Sequence, residues 1–192
     1  MKGIISVGAH YAEELEGWMS LGIVDFMMFE PVEDNYIRLH KILSTKKGIN
    51  VKLFNLALGN ETGKIMMHTE TVHQGKSSSI LKPKLHLEQY PDIIFDGAEM
   101  VDIDKLDNID YDVLLYDYLH IDAQGYELEI LKGATMSLRY INDITCEVYR
   151  AELYEGCPMI EQVTKFLTEH GFLLESVYWR GMSWGDAIYK RR

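Results

Sequence analysis

The alternation of short apolar runs with helix-like segments is the feature that most constrains how this chain can fold. The apolar runs are typical of buried strands, and the segments between them repeat their apolar residues with helical spacing. The final two strand-like runs have no helix between them, so the last strand is expected to enter as an antiparallel hairpin. The pattern therefore predicts an α/β fold with a mostly parallel sheet and helices on both faces.

The predicted elements run through all 192 residues as a single domain, 1–192, without a repeat or a linker. The predicted strands cover residues 4–7, 24–29, 51–58, 113–121, 141–149, 172–178 and 186–189, with a short hairpin partner at 65–68. The predicted helices cover residues 13–19, 32–43, 126–132 and 159–170. Residues 69–99 interrupt the alternation with three consecutive serines and two prolines. We predict that this segment is an active-site loop or lid, because long irregular segments inside compact domains are often functional.

The composition of the chain limits which kinds of partner it can bind. The net charge of −11 argues against a nucleic-acid partner and against an anionic membrane surface, since both need clustered Lys and Arg. The sequence contains no apolar run of the roughly 20 residues that span a bilayer, and its start does not resemble an export signal. Cys146 and Cys157 match no zinc ligand spacing and fit a reducing compartment. We therefore expect a cytoplasmic protein.

Two strand ends carry residues suited to a nucleoside. Gly8 and Ala9 follow the first strand and lead into a helix, where the backbone can approach a ligand closely. Glu30 follows the second strand, and an acid at that place can accept hydrogen bonds from ribose hydroxyls. The alternatives are an ordinary strand-to-helix turn for Gly8 and a helix N-terminal acid for Glu30.

The same segment favours S-adenosylmethionine over a dinucleotide. A dinucleotide motif has three glycines that pass the pyrophosphate over the helix, whereas here only Gly8 is present. His10 and Ala12 stand further along the turn. A nucleotide-dependent oxidoreductase is therefore disfavoured.

The most informative segment is residues 118–134, which reads YLHIDAQGYELEILKGA. Asp122 follows a predicted strand, and ligands of open α/β sheets bind at the carboxyl ends of strands. Asp122 is thus a candidate general base, or a group that positions an acceptor hydroxyl. The alternative is that Asp122 caps the next helix.

This segment resembles the FkbM-type methyltransferases, whose hallmark it follows closely. The resemblance extends to Val7-Gly8-Ala9-His10-Tyr11, to Phe29-Glu30-Pro31, to Ala57-Leu58-Gly59, to Leu106-Asp107, and to C-terminal landmarks that include Glu147 and Trp184-Gly185-Asp186-Ala187. It implies a Rossmann-like class I methyltransferase fold with a seven-stranded sheet, S-adenosylmethionine as cofactor, and transfer to a hydroxyl of a small-molecule or carbohydrate acceptor.

The resemblance also implies roles for individual residues. The cofactor-binding residues would be Gly8, Ala9, His10, Tyr11, Glu30, Pro31, Asn55, Ala57, Leu58 and Asp122, and the catalytic residues would be Asp122, His120 and Gln124. Three positions depart from the family pattern: Ser6 replaces an acid, Ala12 replaces a glycine, and His120 replaces a lysine.

Two other hypotheses, one about function and one about a metal, stay open at this point. The departures at Ser6 and Ala12 are compatible with a non-catalytic binding domain that keeps the fold, with or without the cofactor. His120 and Asp122 lie two apart on one strand, so they share a face that a divalent metal could use with His10 or His73. We predict no metal, because a histidine on a buried strand is more often a hydrogen-bonded core residue.

Overall fold

The computed structural model describes residues 1–192. The strands are β1 (Gly3–Val7), β2 (Asp25–Phe29), β3 (Asn50–Phe54), β4 (Ala57–Leu58), β5 (Gly63–Thr69), β6 (Gly97–Asp104), β7 (Tyr118–Ile121), β8 (Asp143–Tyr149), β9 (Phe172–Trp179) and β10 (Trp184–Arg191). The α-helices are α1 (Leu15–Ser20), α2 (Glu33–Ser44), α3 (Leu85–Gln89), α4 (Glu127–Lys132) and α5 (Ile160–Glu169).

Seven strands form the main sheet in the order β3-β2-β1-β7-β8-β10-β9. The pairs from β3 to β8 are parallel, and β10 lies antiparallel between β8 and β9. The predicted fold class, including the antiparallel C-terminal strand, is confirmed. Every residue of β1 is buried, as expected for a central strand covered on both faces.

The core lies on the two faces of this sheet. A cluster of 22 buried residues includes Ile5, Val7 and Leu167, and a cluster of 10 includes Ile4, Leu15 and Leu39. Adjacent residues of β1 therefore contribute to opposite clusters, because successive side chains of a strand point to opposite faces. The central strand thus fixes the carboxyl ends of its neighbours at one edge of the sheet.

The sequence did not predict the second sheet, which has the order β4-β6-β5. The predicted strand 51–58 is divided, since β3 belongs to the main sheet and β4 pairs with β6. The Asn55 amide causes the break, because it donates to the backbone oxygens of Glu30 and Pro31 at 3.0 and 2.9 Å and so turns the chain away. The hairpin partner expected at 65–68 is part of β5, which pairs with β6.

Two further boundaries differ from the prediction. The predicted strand 113–121 begins with a 3-10 turn over Val113–Leu115, because the Asp112 carboxylate accepts the backbone N–H of Leu114. Only Tyr118–Ile121 is strand. The predicted loop 69–99 contains α3 and the start of β6. No helix in the structure combines the length and apolar character needed to cross a bilayer.

Candidate active site

A cavity of about 390 Å³ opens at the edge of the main sheet where β1, β2, β7 and β8 end and where β10 begins. Its volume lies in the range of pockets for small molecules and cofactors. The predicted residues that line it are Gly8, Ala9, His10, Glu30, Pro31, Ala57, Leu58, His120, Asp122 and Gln124. Most of the residues predicted from separate strand ends therefore meet at one cavity.

Gly8 sits where β1 and β7 leave the sheet. Its φ is 75°, and a Cβ placed on it would lie 1.8 Å from the backbone oxygen of Asp122. The N–H groups of Gly8 and Ala9 both donate to the backbone oxygen of Phe29, at 3.1 and 2.9 Å. Glycine is therefore required here by the neighbouring protein backbone, which brings the ends of three strands together.

The Glu30 carboxylate is the centre of the turn after β2. One oxygen accepts the N–H of His10 at 2.8 Å, and the other accepts the N–H of Val32 at 2.9 Å. Glu30 is only 4% exposed, and burial raises its pKa to about 7 despite these two hydrogen bonds. A carboxylate can accept about four hydrogen bonds, so Glu30 can hold the turn and still accept from a ligand hydroxyl.

His10 joins this turn to the loop between β5 and β6. Its Nδ1 lies 2.9 Å from a carboxylate oxygen of Glu13, and its Nε2 lies 2.9 Å from the backbone oxygen of Gln74. Lys76 contacts the same Glu13 oxygen at 2.8 Å. The loop therefore lies over the Gly8 end of the cavity.

A buried carboxylate organises that loop internally. The two Glu70 oxygens accept the N–H groups of His73 and Ser77, at 2.7 and 3.3 Å. The Ser79 hydroxyl donates to the backbone oxygen of Gln124 at 2.7 Å. This part of the segment predicted to be a loop or lid is thus an ordered cover; its opening in solution stays a prediction.

Gln124 connects two carboxyl groups at the cavity floor. Its Nε2 donates to Asp122 Oδ1 at 2.7 Å and to Glu147 Oε2 at 3.1 Å. Its Oε1 accepts from the Tyr154 hydroxyl at 2.7 Å, and Tyr149 donates its hydroxyl to Glu147. Every polar atom of the amide is therefore engaged, and its orientation is fixed. Asp122 Oδ2 has no protein partner.

The two carboxyl groups differ in exposure, since Glu147 is buried. Asp122 is an exposed residue that faces the cavity space. Desolvation raises its pKa, while His120 and the Gln124 hydrogen bond lower it. Desolvation, and then the neighbouring Asp122 and Glu127 charges, raise the pKa of Glu147 well above its usual range. Because Glu147 is the more deeply buried of the two, its carboxyl group is the harder to ionise.

Glu127, and not Asp122, holds the backbone of the turn before α4. Its Oε1 accepts the N–H groups of Ala123 and Gly125 at 3.1 and 3.0 Å, so it closes the turn before α4. The N-cap of α4 is Tyr126, and the Asp122 side chain accepts no backbone N–H. The capping alternative for Asp122 is wrong, because the carboxylate points into the cavity instead.

Some predicted residues lie away from the cavity wall. Tyr11 stacks on His10 at 3.8 Å between ring centroids, and Asn55 holds the Glu30 turn from behind. Ser6 is buried within β1. Direct cofactor contacts of Tyr11 and Asn55 stay predictions. The replacement of the family's acid by Ser6 does not alter the wall of the cavity, because Ser6 does not line it.

His120 reaches the cavity from β7 and packs edge-on against Trp18, with ring centroids 5.3 Å apart. Its Nδ1 is buried and has no hydrogen-bond partner. The structure brings together no group of three or more His, Cys, Asp or Glu side chains that could hold a metal ion. The structure therefore offers no ready ligand set for the metal alternative.

Glu147 was not predicted as a site residue, and neither was His86 or Tyr90. All three line the cavity. An acid near the carboxyl end of a buried strand was a usable signal for Glu147. His86 and Tyr90 lie in the irregular segment, where no periodic pattern indicates their position.

Comparison with known proteins agrees with this geometry. A family model described as "Methyltransferase FkbM domain" matches residues 6–174. The chain is 29% identical over 147 residues to the 2-O-methyltransferase NoeI of Sinorhizobium fredii (strain NBRC 101917 / NGR234). That match covers 73% of this chain but 59% of the relative, so the chain spans less than two thirds of the relative's length.

Solved structures share the architecture at low identity. The magnesium protoporphyrin IX methyltransferase ChlM of Synechocystis PCC 6803, with bound SAM, matches 98% of this chain and 69% of its own at 10% identity and a TM-score of 0.52. Sp1610 of Streptococcus pneumoniae, assigned as a tRNA methyltransferase and bound to S-adenosyl-L-methionine, matches 98% and 65% at 14% identity and a TM-score of 0.52. These likenesses show the class I methyltransferase fold.

Proposed function

Because this chain belongs to the FkbM methyltransferase family, we propose that it is an S-adenosylmethionine-dependent O-methyltransferase acting on a small-molecule or carbohydrate hydroxyl. The observation that carries the proposal is one cavity with Glu30 at one end and the free oxygen of Asp122 at its floor. The Glu30 carboxylate suits binding of a nucleoside, and the free Asp122 oxygen suits removal of a proton. The relative NoeI is named a 2-O-methyltransferase, and this supports an oxygen atom as the methyl acceptor.

The residues around Glu30 fit the cofactor. The carboxylate retains acceptor capacity for ribose hydroxyls, and Pro31, Ala57 and Leu58 supply an apolar wall beside it. Gly8 brings the β1 and β7 turns into contact, so the nucleoside end and Asp122 border one continuous space. When bound, S-adenosylmethionine supplies an electrophilic methyl group on a positively charged sulfur.

Asp122 is the proposed general base. Its Oδ1 is held by Gln124, which leaves Oδ2 to accept the proton of the acceptor hydroxyl. Burial raises the pKa of Glu147 well above its usual range, which disfavours a second negative charge beside the base. His120 favours the charged form of Asp122. Orientation of the acceptor and exclusion of water by the covering loop supply the rest of the rate.

The charge of the chain supports an acceptor other than nucleic acid. The net charge is −11, and Lys76 is the only Lys or Arg that lines the cavity. The fold itself does not decide this point, because one solved structure that shares it is named a tRNA methyltransferase. Two free, buried cysteines support a reducing compartment and hence a cytoplasmic location.

Incubation with S-adenosylmethionine and a panel of hydroxylated metabolites and glycosides tests the proposal. The expected result is formation of S-adenosylhomocysteine together with an acceptor that gains the mass of one methyl group. Binding of S-adenosylhomocysteine without transfer to any member of the panel would favour the non-catalytic binding domain. Absence of binding would reject both.

A further inference from the structure

The cavity extends beyond Asp122 into a second region that the cofactor residues do not border. We call it the distal compartment; its walls are His86, Tyr90, Ile93, Leu153 and Trp184. Trp184 begins β10 and pairs with Tyr149 of β8, so this compartment lies over the opposite half of the sheet from Glu30. The two regions meet at Asp122, Gln124 and Glu147.

His86 presents an unused hydrogen-bonding group to this compartment. It is 3% exposed and lies among the rings of Tyr90, Phe95 and Tyr154, at centroid distances of 5.1, 5.2 and 5.4 Å. Neither ring nitrogen has a protein partner, and Nδ1 is fully buried. Burial lowers the pKa of His86, so the ring is neutral and carries one N–H. Nδ1 is unpaired in either tautomer, so we take Nε2, the ring nitrogen that is not fully enclosed, as the donor that a ligand can meet.

The aromatic wall beside His86 is held in a fixed arrangement. The indole N–H of Trp184 donates to the Tyr90 hydroxyl at 2.7 Å, and the Ser183 hydroxyl donates to Gln89 Oε1 at 2.5 Å. Gly181 packs against this pair, since a Cβ there would lie 2.8 Å from Trp184 Nε1 and 2.9 Å from the Tyr90 hydroxyl oxygen. The two rings thus form a built surface that a ligand can meet without rearranging it.

The charges around the distal compartment select against anionic ligands. No Lys or Arg borders it, and Lys76, at the other end of the cavity, is paired with Glu13 at 2.8 Å. The carboxyl groups of Asp122 and Glu147 lie at its floor. A phosphate or carboxylate bound there would be desolvated without a cationic partner, which is strongly unfavourable.

We propose, building on the function proposed above, that the distal compartment binds the acceptor as an uncharged polyhydroxylated ring and that His86 determines its specificity. The His86 Nε2–H donates to one ring hydroxyl, and Asp122 accepts from the hydroxyl that is methylated. Tyr90 and Trp184 cover the apolar C–H face of the ring. Hydroxyl groups both donate and accept, which matches a floor of carboxyl groups facing an N–H donor.

The test uses the full chain loaded with S-adenosylhomocysteine and labelled in its histidine rings. The uncharged methyl glycosides of glucose, galactose and mannose are titrated in turn, with methyl glucuronoside as the charged counterpart. We expect NMR signals of the His86 ring to shift with at least one uncharged glycoside and to remain unchanged with the glucuronoside.

Variants separate recognition from structure. His86→Phe keeps an aromatic ring and removes the donor, so glycoside affinity should fall roughly three- to tenfold, the effect of one neutral hydrogen bond. His86→Gln, which retains an N–H donor, should restore part of the loss. Glu88→Gln, exposed on the same helix, should bind like the parent. Affinity for S-adenosylhomocysteine should be equal in all four proteins.

Equal binding of the charged and uncharged sugars, unchanged affinity in His86→Phe, or no glycoside binding by the loaded protein would overturn this inference. In each of these outcomes S-adenosylhomocysteine still binds, and the proposed methyltransferase function stands. Failure to bind S-adenosylhomocysteine would instead reject the proposed function.

Discussion

The two ends of the cavity are built by different means. At the Glu30 end, backbone N–H groups and one carboxylate meet where neighbouring parallel strands stop, so the sheet itself places them. In the distal compartment, side chains 94 residues apart form the wall through contacts such as Trp184 with Tyr90. The cofactor end is thus set by the sheet, whereas the acceptor end is set by side-chain contacts between the segment 69–99 and the start of β10.

The largest expected effect concerns Asp122, where the two ends meet. Asp122→Asn removes the proposed base while keeping the side-chain size, so turnover should fall roughly 100- to 10,000-fold. Affinity for S-adenosylhomocysteine should be nearly unchanged. Initial rates and calorimetric titration measure the two quantities, and Glu129→Gln, on the α4 surface, serves as the control. Turnover at the parental rate would remove Asp122 from catalysis.

The second prediction tests whether close backbone packing at the ends of β1 and β7 holds the Glu30 end of the cavity in place. Gly8→Ala places a methyl group on the Asp122 backbone and forces alanine into a left-handed conformation. The free energy of unfolding should fall by about 3 kcal/mol, the sum of strain and overpacking. Gly17→Ala in α1, where a Cβ meets nothing within 4 Å, should instead stabilise by up to about 1 kcal/mol. Denaturant unfolding distinguishes them, and equal effects would contradict the packing role of Gly8.

The functional residues at the ends of β1, β2 and β7 could be predicted from the sequence, because each of them directly follows a buried strand. Gly8, Glu30 and Asp122 were identified in this way. Glu147 could have been noticed as an acid near a strand end, but its position beside Asp122 depends on the register of β7 against β8 and on the bridging amide of Gln124. Gln124 holds that bridge from a backbone φ of 53°, which no sequence pattern indicated.

The second sheet shows a different limit. The strand β4 has two residues and pairs with β6, more than 40 positions later, so its apolar pattern merged with that of β3. The distal compartment likewise could not be predicted, since His86 and Tyr90 lie in a segment whose apolar residues show no helical or strand periodicity. The segment 69–99 was predicted to be an active-site loop or lid, but no pattern indicated which of its side chains enter the cavity.

The third prediction sharpens the role of Glu30. Glu30→Ala removes the acceptor for the ribose hydroxyls and loosens the turn that His10 and Val32 share with it. Affinity for S-adenosylhomocysteine should fall by about 1.5 to 3 kcal/mol, the scale for hydrogen bonds to a charged group. Calorimetric titration measures the change, with Glu33→Gln on the exposed face of α2 as the control. An unaltered affinity would move the nucleoside away from this end.

The fourth prediction follows from the Glu30 pKa of about 7, raised by burial. A carboxylate accepts two hydroxyl protons better than a carboxylic acid does, so S-adenosylhomocysteine affinity should rise up to about tenfold as pH rises through this value. Because the folded-state pKa is raised, the contribution of Glu30 to folding stability is present below its unfolded value and is lost as pH rises through about 7. Both trends should flatten in Glu30→Gln, and pH-independent binding by the parent protein would contradict the assignment.

The smallest expected effect concerns the loop that covers the Gly8 end. The covering contacts of Gln74 and Lys76 with His10 and Glu13 should strengthen when the cofactor is bound. Tryptic cleavage after Lys76 should then slow a few-fold with S-adenosylhomocysteine, as expected when a ligand suppresses local opening. Cleavage after exposed Lys47, outside the loop, is the internal reference. Equal slowing at both sites would indicate general stabilisation instead of loop closure.

A crystal structure with S-adenosylhomocysteine tests most directly whether the cavity is divided into a cofactor end and an acceptor end. The ribose hydroxyls should lie within hydrogen-bond distance of the Glu30 carboxylate, with the sulfur beside Asp122 and the distal compartment free of cofactor atoms. A cofactor that occupies the space between His86 and Trp184, or a ribose that makes no contact with Glu30, would contradict this division.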